Sequence, residues 1–179
     1  ATLEATTTSD DPDLQMNNLL RTNNATLNVR GTNLGTTSTQ RTQFEITNAG
    51  NQTAFIAALV GGGGAAASKT ISIVPWAIGE TVTGAIAVTN MGNSLVTYDS
   101  GAGFRPLNLT TEYSTLAGAG GATDNVRESL SADLTGLTTQ TVNALVIDKS
   151  TTGAGTIDVT GSGAGQTLTS TSGAFLFTQ

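Results

Sequence analysis

Acidic and basic side chains lie close together in sequence at two places that could support chemistry. Asp99 is near Arg105, and Asp124 is near Arg127 and Glu128. Clustered carboxylates with a basic proton acceptor are what the cleavage of a polysaccharide requires. Surface ion pairs explain both clusters more simply, and the chain contains no His to act as the commonest general base. The sequence therefore predicts no catalytic residues and no enzyme.

Three further carboxylates, Asp10, Asp11 and Asp13, surround Pro12 near the start of the chain. Because calcium prefers oxygen ligands, these residues suggest a calcium site. Their spacing lacks the Gly and the distal Glu of an EF-hand loop, so an exposed turn is the interpretation that we favour. The chain also lacks Cys, which excludes thiolate metal sites and a disulfide framework. We therefore expect no metal and no other cofactor.

Aromatic side chains are few, and residues 70–107 contain the only Trp together with one of the two Tyr. Trp76, Tyr98, Phe104 and Tyr113 could form a platform on which sugar rings stack. Large side chains more often fill the core, because they bury the most surface. We therefore predict that these residues belong to the best-packed part of the molecule, with a glycan platform as the alternative.

Composition and charge exclude two classes of partner. The chain has 179 residues, of which 11% are charged, and a net charge of −6. Its Lys and Arg occur singly, so the basic stripe that nucleic acid binding needs is missing. No apolar run reaches the length of a transmembrane helix, and we expect no membrane insertion. No signal peptide precedes Ala1, so we expect a mature chain or a piece of a longer protein.

Short apolar or alternating segments, separated by Gly and Asn clusters, run through most of the chain and predict an all-β protein. No segment shows a sustained helical period. Residues 54–60 form a continuous apolar run and are predicted to be a strand buried on both faces. A strand that starts at Thr70 must end, bulge or lie at a sheet edge at Pro75, because proline cannot donate to a ladder. The other predicted strands are residues 26–30, 43–47, 85–89, 95–98, 104–107, 142–148, 156–160, 166–169 and 174–178.

In the last part of the chain the strand centres follow one another at short intervals, near Leu145, Ile157, Leu168 and Leu176. Such spacing is typical of a solenoid with several short strands per coil. Residues 1–24 are less regular, and they are interpreted as either a cap or a strand donated to a neighbouring subunit.

A family resemblance rests on an ordered series of motifs. Residues 73–79 read IVPWAIG and are similar to the ILPWAIG core of large bacterial proteins with autotransporter-associated β-strand repeats, which are common in planctomycetes. Matches to the family then follow in order at residues 95–98 (LVTY), 103–107 (GFRPL), 112–113 (EY) and 125–127 (NVR). Residues 28–35 (NVRGTNLG), 153–161 and 173–177 resemble further coils of these proteins. The resemblance covers roughly residues 24 to 179.

This resemblance implies a right-handed parallel β-helix, the passenger region of a protein that is exported to the bacterial cell surface. Family members are usually far longer and carry a C-terminal anchor or barrel, so a processed or partial portion is implied here. We expect residues 1–24 to be an N-terminal extension and residues 25–179 to form the β-solenoid domain.

Both ends of a solenoid expose strand edges that must be capped or joined to another molecule. We therefore expect a non-enzymatic extracellular structural protein, at the cell surface or in a fibre, whose copies associate end to end. A glycan-binding adhesin, with surface glycans as partners, is the first alternative. A polysaccharide-degrading β-helix enzyme is the second.

Overall fold

A computed structural model describes residues 1–5, 12–36, 41–82, 92–149 and 158–178. The described residues are mostly strands, which confirms the all-β prediction, with one α-helix and one 3-10 turn. The helix α1 spans Ala49–Ala57, and the 3-10 turn spans Leu116–Gly118. In chain order the strands are β1 Thr2–Ala5, β2 Asp13–Met16, β3 Leu27–Thr32, β4 Gln43–Ile46, β5 Ala77–Val82, β6 Ser94–Asp99, β7 Gly103–Pro106, β8 Asn125–Ser129, β9 Leu134–Leu137, β10 Gln140–Asp148, β11 Val159–Gly161 and β12 Leu168–Thr178.

Neighbouring strands pair mostly in parallel. β1, β3 and β5 lie side by side in parallel, and β2 pairs with β4 in the same way. β8, β10 and β12 form a second parallel set, and β9 pairs in parallel with β11. Among the described strands, only the β5–β6 and β6–β7 pairs are antiparallel. Parallel partners need a connection that returns to the start of the sheet, and here β2 and β4 lie within those returning segments.

The chain divides into two compact units. The first contains Ala1–Val60 and Ser72–Leu107, and the second contains Gly61–Ile71 and Asn108–Gln179. Each unit has a hydrophobic core of its own. The predicted division at residues 24 and 25 stays a prediction, although β1 and β2 from that N-terminal segment pair with β3 and β4 inside the first unit.

The core of the first unit is built around aromatic rings. Phe55 of α1 contacts Tyr98 and Phe104 edge-on, at centroid distances of 5.3 and 5.4 Å. Tyr98 and Phe104 contact each other at 4.9 Å, and the Tyr98 hydroxyl accepts a hydrogen bond from the Ile46 amide at 2.8 Å. Both rings are buried. The prediction that aromatic residues of the 70–107 stretch fill the core is confirmed for these two.

The interior of the second unit contains two completely buried asparagines. Asn143 Nδ2 donates to Asn125 Oδ1 at 2.7 Å, and Asn125 Nδ2 donates to the Ile71 carbonyl at 2.8 Å. The hydroxyls of Ser170 and Ser172 donate to the Asn143 carbonyl at 2.8 and 2.6 Å. Because buried polar groups are costly unless they are paired, these hydrogen bonds fix how β8, β10 and β12 lie against one another.

Residues 54–60 do not form the predicted strand. Most of this run lies in α1 and the turn after it, and Val60 forms only an isolated antiparallel bridge with Ile73. The Asn48 side chain begins the helix by accepting a hydrogen bond from the Asn51 amide at 3.0 Å, as N-cap residues do. Ala, which is frequent in this segment, has the highest helix propensity. The prediction of a buried strand over residues 54–60 is therefore wrong, and a helix forms in a segment that shows no sustained helical period.

The strand predicted to begin at Thr70 is also wrong. Turn and loop conformations occupy residues 69–72, and Ile73 forms an isolated bridge with Val60 rather than part of a strand. The regular strand β5 starts only after the turn at Pro75 and Trp76. Proline lacks the amide that a ladder needs, which explains why the strand begins beyond it.

Most of the remaining predicted strands are confirmed, and the others lie wholly or partly outside the described residues. The segments at residues 26–30, 43–47, 95–98, 104–107 and 142–148 are confirmed as β3, β4, β6, β7 and β10. The last two predicted strands form one continuous strand, β12. The strand predicted at residues 85–89 lies outside the described residues, as does the first part of the one predicted at 156–160.

Candidate functional site at the free strand edges

The strand β12 lies at an edge of its sheet. It pairs with β10 on one side, and no described strand pairs with its other side. Its 11 residues alternate between buried or half-buried positions and exposed ones. None of them is charged. A long, uncharged edge strand presents unpaired backbone donors and acceptors to another chain.

The exposed aromatic residues of β12 extend rows of side chains that are buried one strand earlier. Phe175 is in register with Leu145 of β10, which is in register with Val126 of β8. Val126 and Leu145 lie in the core of the second unit at 0% and 3% exposure, whereas Phe175 is 49% exposed. Phe177 is 72% exposed, although its register partner Ile147 is buried in the same core. The hydrophobic core is therefore open at β12.

The first unit has a smaller opening of the same kind at β2. Leu14 is 43% exposed, although its register partner Phe44 is buried in the core of that unit. Met16 is half-buried and is in register with the buried Ile46. Within the described residues, β2 pairs with β4 alone. Each unit therefore has a free parallel edge with an exposed apolar side chain at the end of a core row.

The carboxylates of the second charged cluster accept hydrogen bonds from backbone amides. Asp124 accepts one from Gly120 at 2.6 Å, and Glu128 accepts one from Leu116, the first residue of the 3-10 turn. Arg127 forms an ion pair at 2.6 Å with Asp148 on the neighbouring strand β10. The ion-pair interpretation therefore holds for Arg127, but with a partner that the sequence did not indicate.

The first charged cluster shapes the turn between β6 and β7. Asp99 Oδ1 accepts a hydrogen bond from the Gly101 amide at 2.8 Å, and an Arg105 terminal nitrogen donates to the Pro106 carbonyl at 3.3 Å. A short Asp side chain that accepts from an amide two residues later is typical of a tight turn. Asp99 thus has a structural role at this position.

The three carboxylates of the calcium alternative are only partly described. Asp10 and Asp11 lie outside the described residues, while Asp13 begins β2 and is exposed. In the described ranges, no group of three or more His, Cys, Asp or Glu residues is arranged so that it could hold a metal ion.

Three of the four aromatic residues of the glycan-platform alternative are buried, namely Tyr98, Phe104 and Tyr113. Trp76 is half-buried and contacts Phe55 edge-on at 6.2 Å. The core interpretation of these residues is confirmed for the three buried rings, which cannot stack on a sugar.

Neither Phe175 nor Phe177 was predicted from the sequence to be part of a site. The signal that could have found them is the successive apolar residues Ala174 to Phe177, a pattern typical of a strand buried on both faces. When such a strand lies at an exposed edge, some of its apolar side chains stay in contact with solvent at the end of the hydrophobic core. Register partners, however, are visible only in the structure.

Of the helices that the structure describes, none is long and apolar enough to cross a membrane. Comparisons with protein-family models, with curated proteins and with solved structures found no match to this chain.

Proposed function

We propose that this chain is a non-enzymatic structural protein of the parallel β-solenoid class, whose copies join through the free edges of their strand stacks. The observation that carries the proposal is the pair of core rows that end in the exposed Phe175 and Phe177. The resemblance to autotransporter-associated repeat proteins supports a place at the bacterial cell surface or in an extracellular fibre.

The order of the strand pairs supports a solenoid. In the first unit Thr2 pairs with Asn28 and Asp13 pairs with Gln43, so that β1 and β2 lie along β3 and β4 in the same order. In the second unit β8 and β9 lie along β10 and β11 in the same order. When a chain repeats a two-strand unit, and each strand pairs in parallel with the corresponding strand of the next unit, the chain winds into a coil. The helix α1 and the hairpin β6–β7 are departures from a regular coil.

Exposed rings at the end of a core row favour association because their burial removes apolar surface from water. Full burial of a large apolar side chain is worth about 1.5–3 kcal/mol relative to full exposure. The free edge of β12 adds backbone hydrogen bonds to this gain. Charges and prolines are two of the devices that protect an edge strand, and β12 contains neither. A bulge, which is a third such device, interrupts its pairing with β10 between Ser170 and Ala174, and the exposed rings lie beyond that bulge. A second copy is thus a suitable partner for this edge.

In this proposal residues 1–24 act as a cap rather than as a donated strand. β1 and β2 pair in parallel with β3 and β4 of the same chain, so their backbone is already engaged on that side. The cap is incomplete, because Leu14 stays exposed at the end of its row. It can therefore receive the edge of another copy.

Specific observations weigh against the two alternatives. An adhesin that stacks sugars on Tyr98, Phe104 or Tyr113 would need these rings at the surface, and they are buried. Polysaccharide cleavage by Asp124 and Glu128 would need their carboxylates to face a substrate, and both accept hydrogen bonds from backbone amides.

Sedimentation velocity of the purified chain, over a range of concentrations, tests the proposal. Phe175→Lys places a charge at the end of a core row, so we expect it to convert large assemblies into monomers. Leu109→Lys is the matched control, because Leu109 is 46% exposed but lies in a turn outside the strands. We expect this control to assemble like the unaltered chain.

Circular dichroism shows whether each variant keeps its strands. Phe177→Lys is the second variant, at a side chain so exposed that the fold should tolerate Lys. Two outcomes would overturn the proposal: an unaltered chain that stays monomeric at every concentration, or folded Phe175→Lys and Phe177→Lys chains that assemble as well as the control.

A further inference from the structure

A cavity of 390 Å³ lies in the first unit, between α1 and the loop that follows β2. Its apolar walls include Leu19, Phe55, Leu59, Val74, Pro75 and Trp76. Three polar side chains, from Asn18, Arg21 and Asn51, complete the lining, and no carboxylate is part of it. This size and this mixture of apolar walls with a few polar groups are typical of small-molecule sites.

The loop that forms one wall is held at both of its ends. Asn51 Nδ2 of α1 donates to the Asn17 carbonyl at 2.9 Å. Arg21 Nε donates to the Ala25 carbonyl at 2.9 Å. Because these bonds tie the loop to the helix and to its own following turn, the cavity is preformed rather than dependent on a ligand.

Arg21 provides a positive charge at the rim. The centre of its guanidinium lies 5.9 Å from the centroid of the Trp76 ring, a cation–π arrangement. The Nε is bonded to the loop, whereas the two terminal nitrogens have no hydrogen bond or ion pair in the part of the chain that the structure describes. A guanidinium held in this way offers parallel donors that match a carboxylate.

We propose that this cavity binds a small monocarboxylate with an apolar body. The carboxylate pairs with Arg21, and the body lies along Trp76 and Leu59. The positive rim without a carboxylate favours an anion over a cation, and the mainly apolar walls favour a hydrocarbon body over a sugar. No residue of β12 lines the cavity, so this inference does not depend on the association proposal.

Intrinsic fluorescence reports on the site directly, because Trp76 is the only Trp in the chain. We expect saturable changes with decanoate or with 4-phenylbutyrate, which separate an aliphatic from an aromatic body. Decanol, with a similar tail and no charge, should bind at least about tenfold more weakly than decanoate, because it lacks the charge-assisted pair. Decyltrimethylammonium should not bind.

Several results of this titration would overturn the inference. They are the absence of a saturable change with both carboxylates, binding of decanol as tight as that of decanoate, and preferential binding of the ammonium compound. Glucuronate is titrated as well. If it alone produced a response, the ligand would be an acidic sugar rather than a carboxylate with an apolar body.

Variants locate the binding site. Arg21→Gln removes the charged pair and also the hydrogen bond to the Ala25 carbonyl, so it should weaken decanoate binding about tenfold more than it weakens decanol binding. Lys69→Gln removes the same charge from an exposed side chain that does not line the cavity, and it should bind like the unaltered chain. Ala54→Leu keeps a good helix former but narrows the cavity, so it should weaken every ligand. Unchanged decanoate affinity in folded Arg21→Gln and Ala54→Leu chains would exclude this site.

Discussion

At the scale of single residues, Gly103 stands where a side chain would collide with the backbone. Its φ is +73°, and a Cβ added there would lie 2.3 Å from the Phe44 carbonyl oxygen. Gly136 has nearly the same φ, +74°, but open space around it. A substitution at Gly136 therefore introduces backbone strain alone, whereas one at Gly103 introduces the same strain together with a steric clash.

Gly103→Ala should lower the free energy of unfolding by more than Gly136→Ala does. In both variants the positive φ costs about 1–2 kcal/mol, because the new residue has a Cβ. Only Gly103→Ala adds the clash with the Phe44 carbonyl oxygen. Chemical denaturation of the two variants measures the difference. Equal losses would show that the β7 backbone moves away from Phe44 at little cost.

The buried asparagine pair gives a second prediction at this scale. Asn143→Leu leaves Asn125 Oδ1 without the donor that now lies at 2.7 Å, and an unpaired buried group costs about 1–3 kcal/mol. Asn125→Leu should have a similar effect. The double variant should lose less stability than the sum of the two, since both partners are then removed. Strictly additive losses in a double-mutant cycle would contradict a direct coupling.

At the scale of elements, α1 depends on its N-terminal cap. Asn48→Ala removes the acceptor for the Asn51 amide and should destabilise the first unit by about 1 kcal/mol. Asn48→Asp keeps an acceptor and is the control. Hydrogen exchange of the α1 amides should be faster in Asn48→Ala alone, and equal exchange in both variants would mean that packing of Phe55 determines the helix by itself.

The same helix shows where sequence patterns stop being informative. Alternation of apolar and polar residues predicted β3 and β4 correctly, because each has one face on a core. The apolar run at residues 54–60 has no alternation, and such a run fits a helix or a buried strand equally well. Asn48 as an N-cap and the Ala-rich composition are the sequence signals that favour the helix over a buried strand.

The pairing partners of the strands could not be predicted from the sequence, for a different reason. The pairing of Val126, Leu145 and Phe175 joins residues from three separate segments, and no local pattern encodes it. The charged clusters were interpreted as ion pairs between residues near each other in sequence, but Arg127 pairs with Asp148 on the neighbouring strand. The strand β12 could therefore be predicted from the sequence, whereas the candidate site on it could be recognised only from the register of its residues with β10 and β8.

At the scale of the whole molecule, two different free edges predict head-to-tail joining. Such heterologous contacts between unlike surfaces extend into filaments unless the rotation between copies closes a ring. Phe175→Lys blocks the edge of β12, and Leu14→Lys blocks the edge of β2. Each variant alone should therefore be monomeric.

An equimolar mixture of these two variants should form dimers and nothing larger, because one intact edge of each kind remains. Sedimentation velocity distinguishes the dimer from longer assemblies. If β12 instead pairs with β12 of a second copy, Leu14→Lys will dimerise by itself, and the mixture will add nothing new.

Electron microscopy of the purified chain, combined with diffraction from aligned samples, tests the central proposal most directly. If copies join edge to edge, long filaments should form, and the strand spacing of about 4.7–4.9 Å should run along the filament axis. Separate particles of monomer size, or filaments with this spacing perpendicular to their axis, would contradict association through the free strand edges.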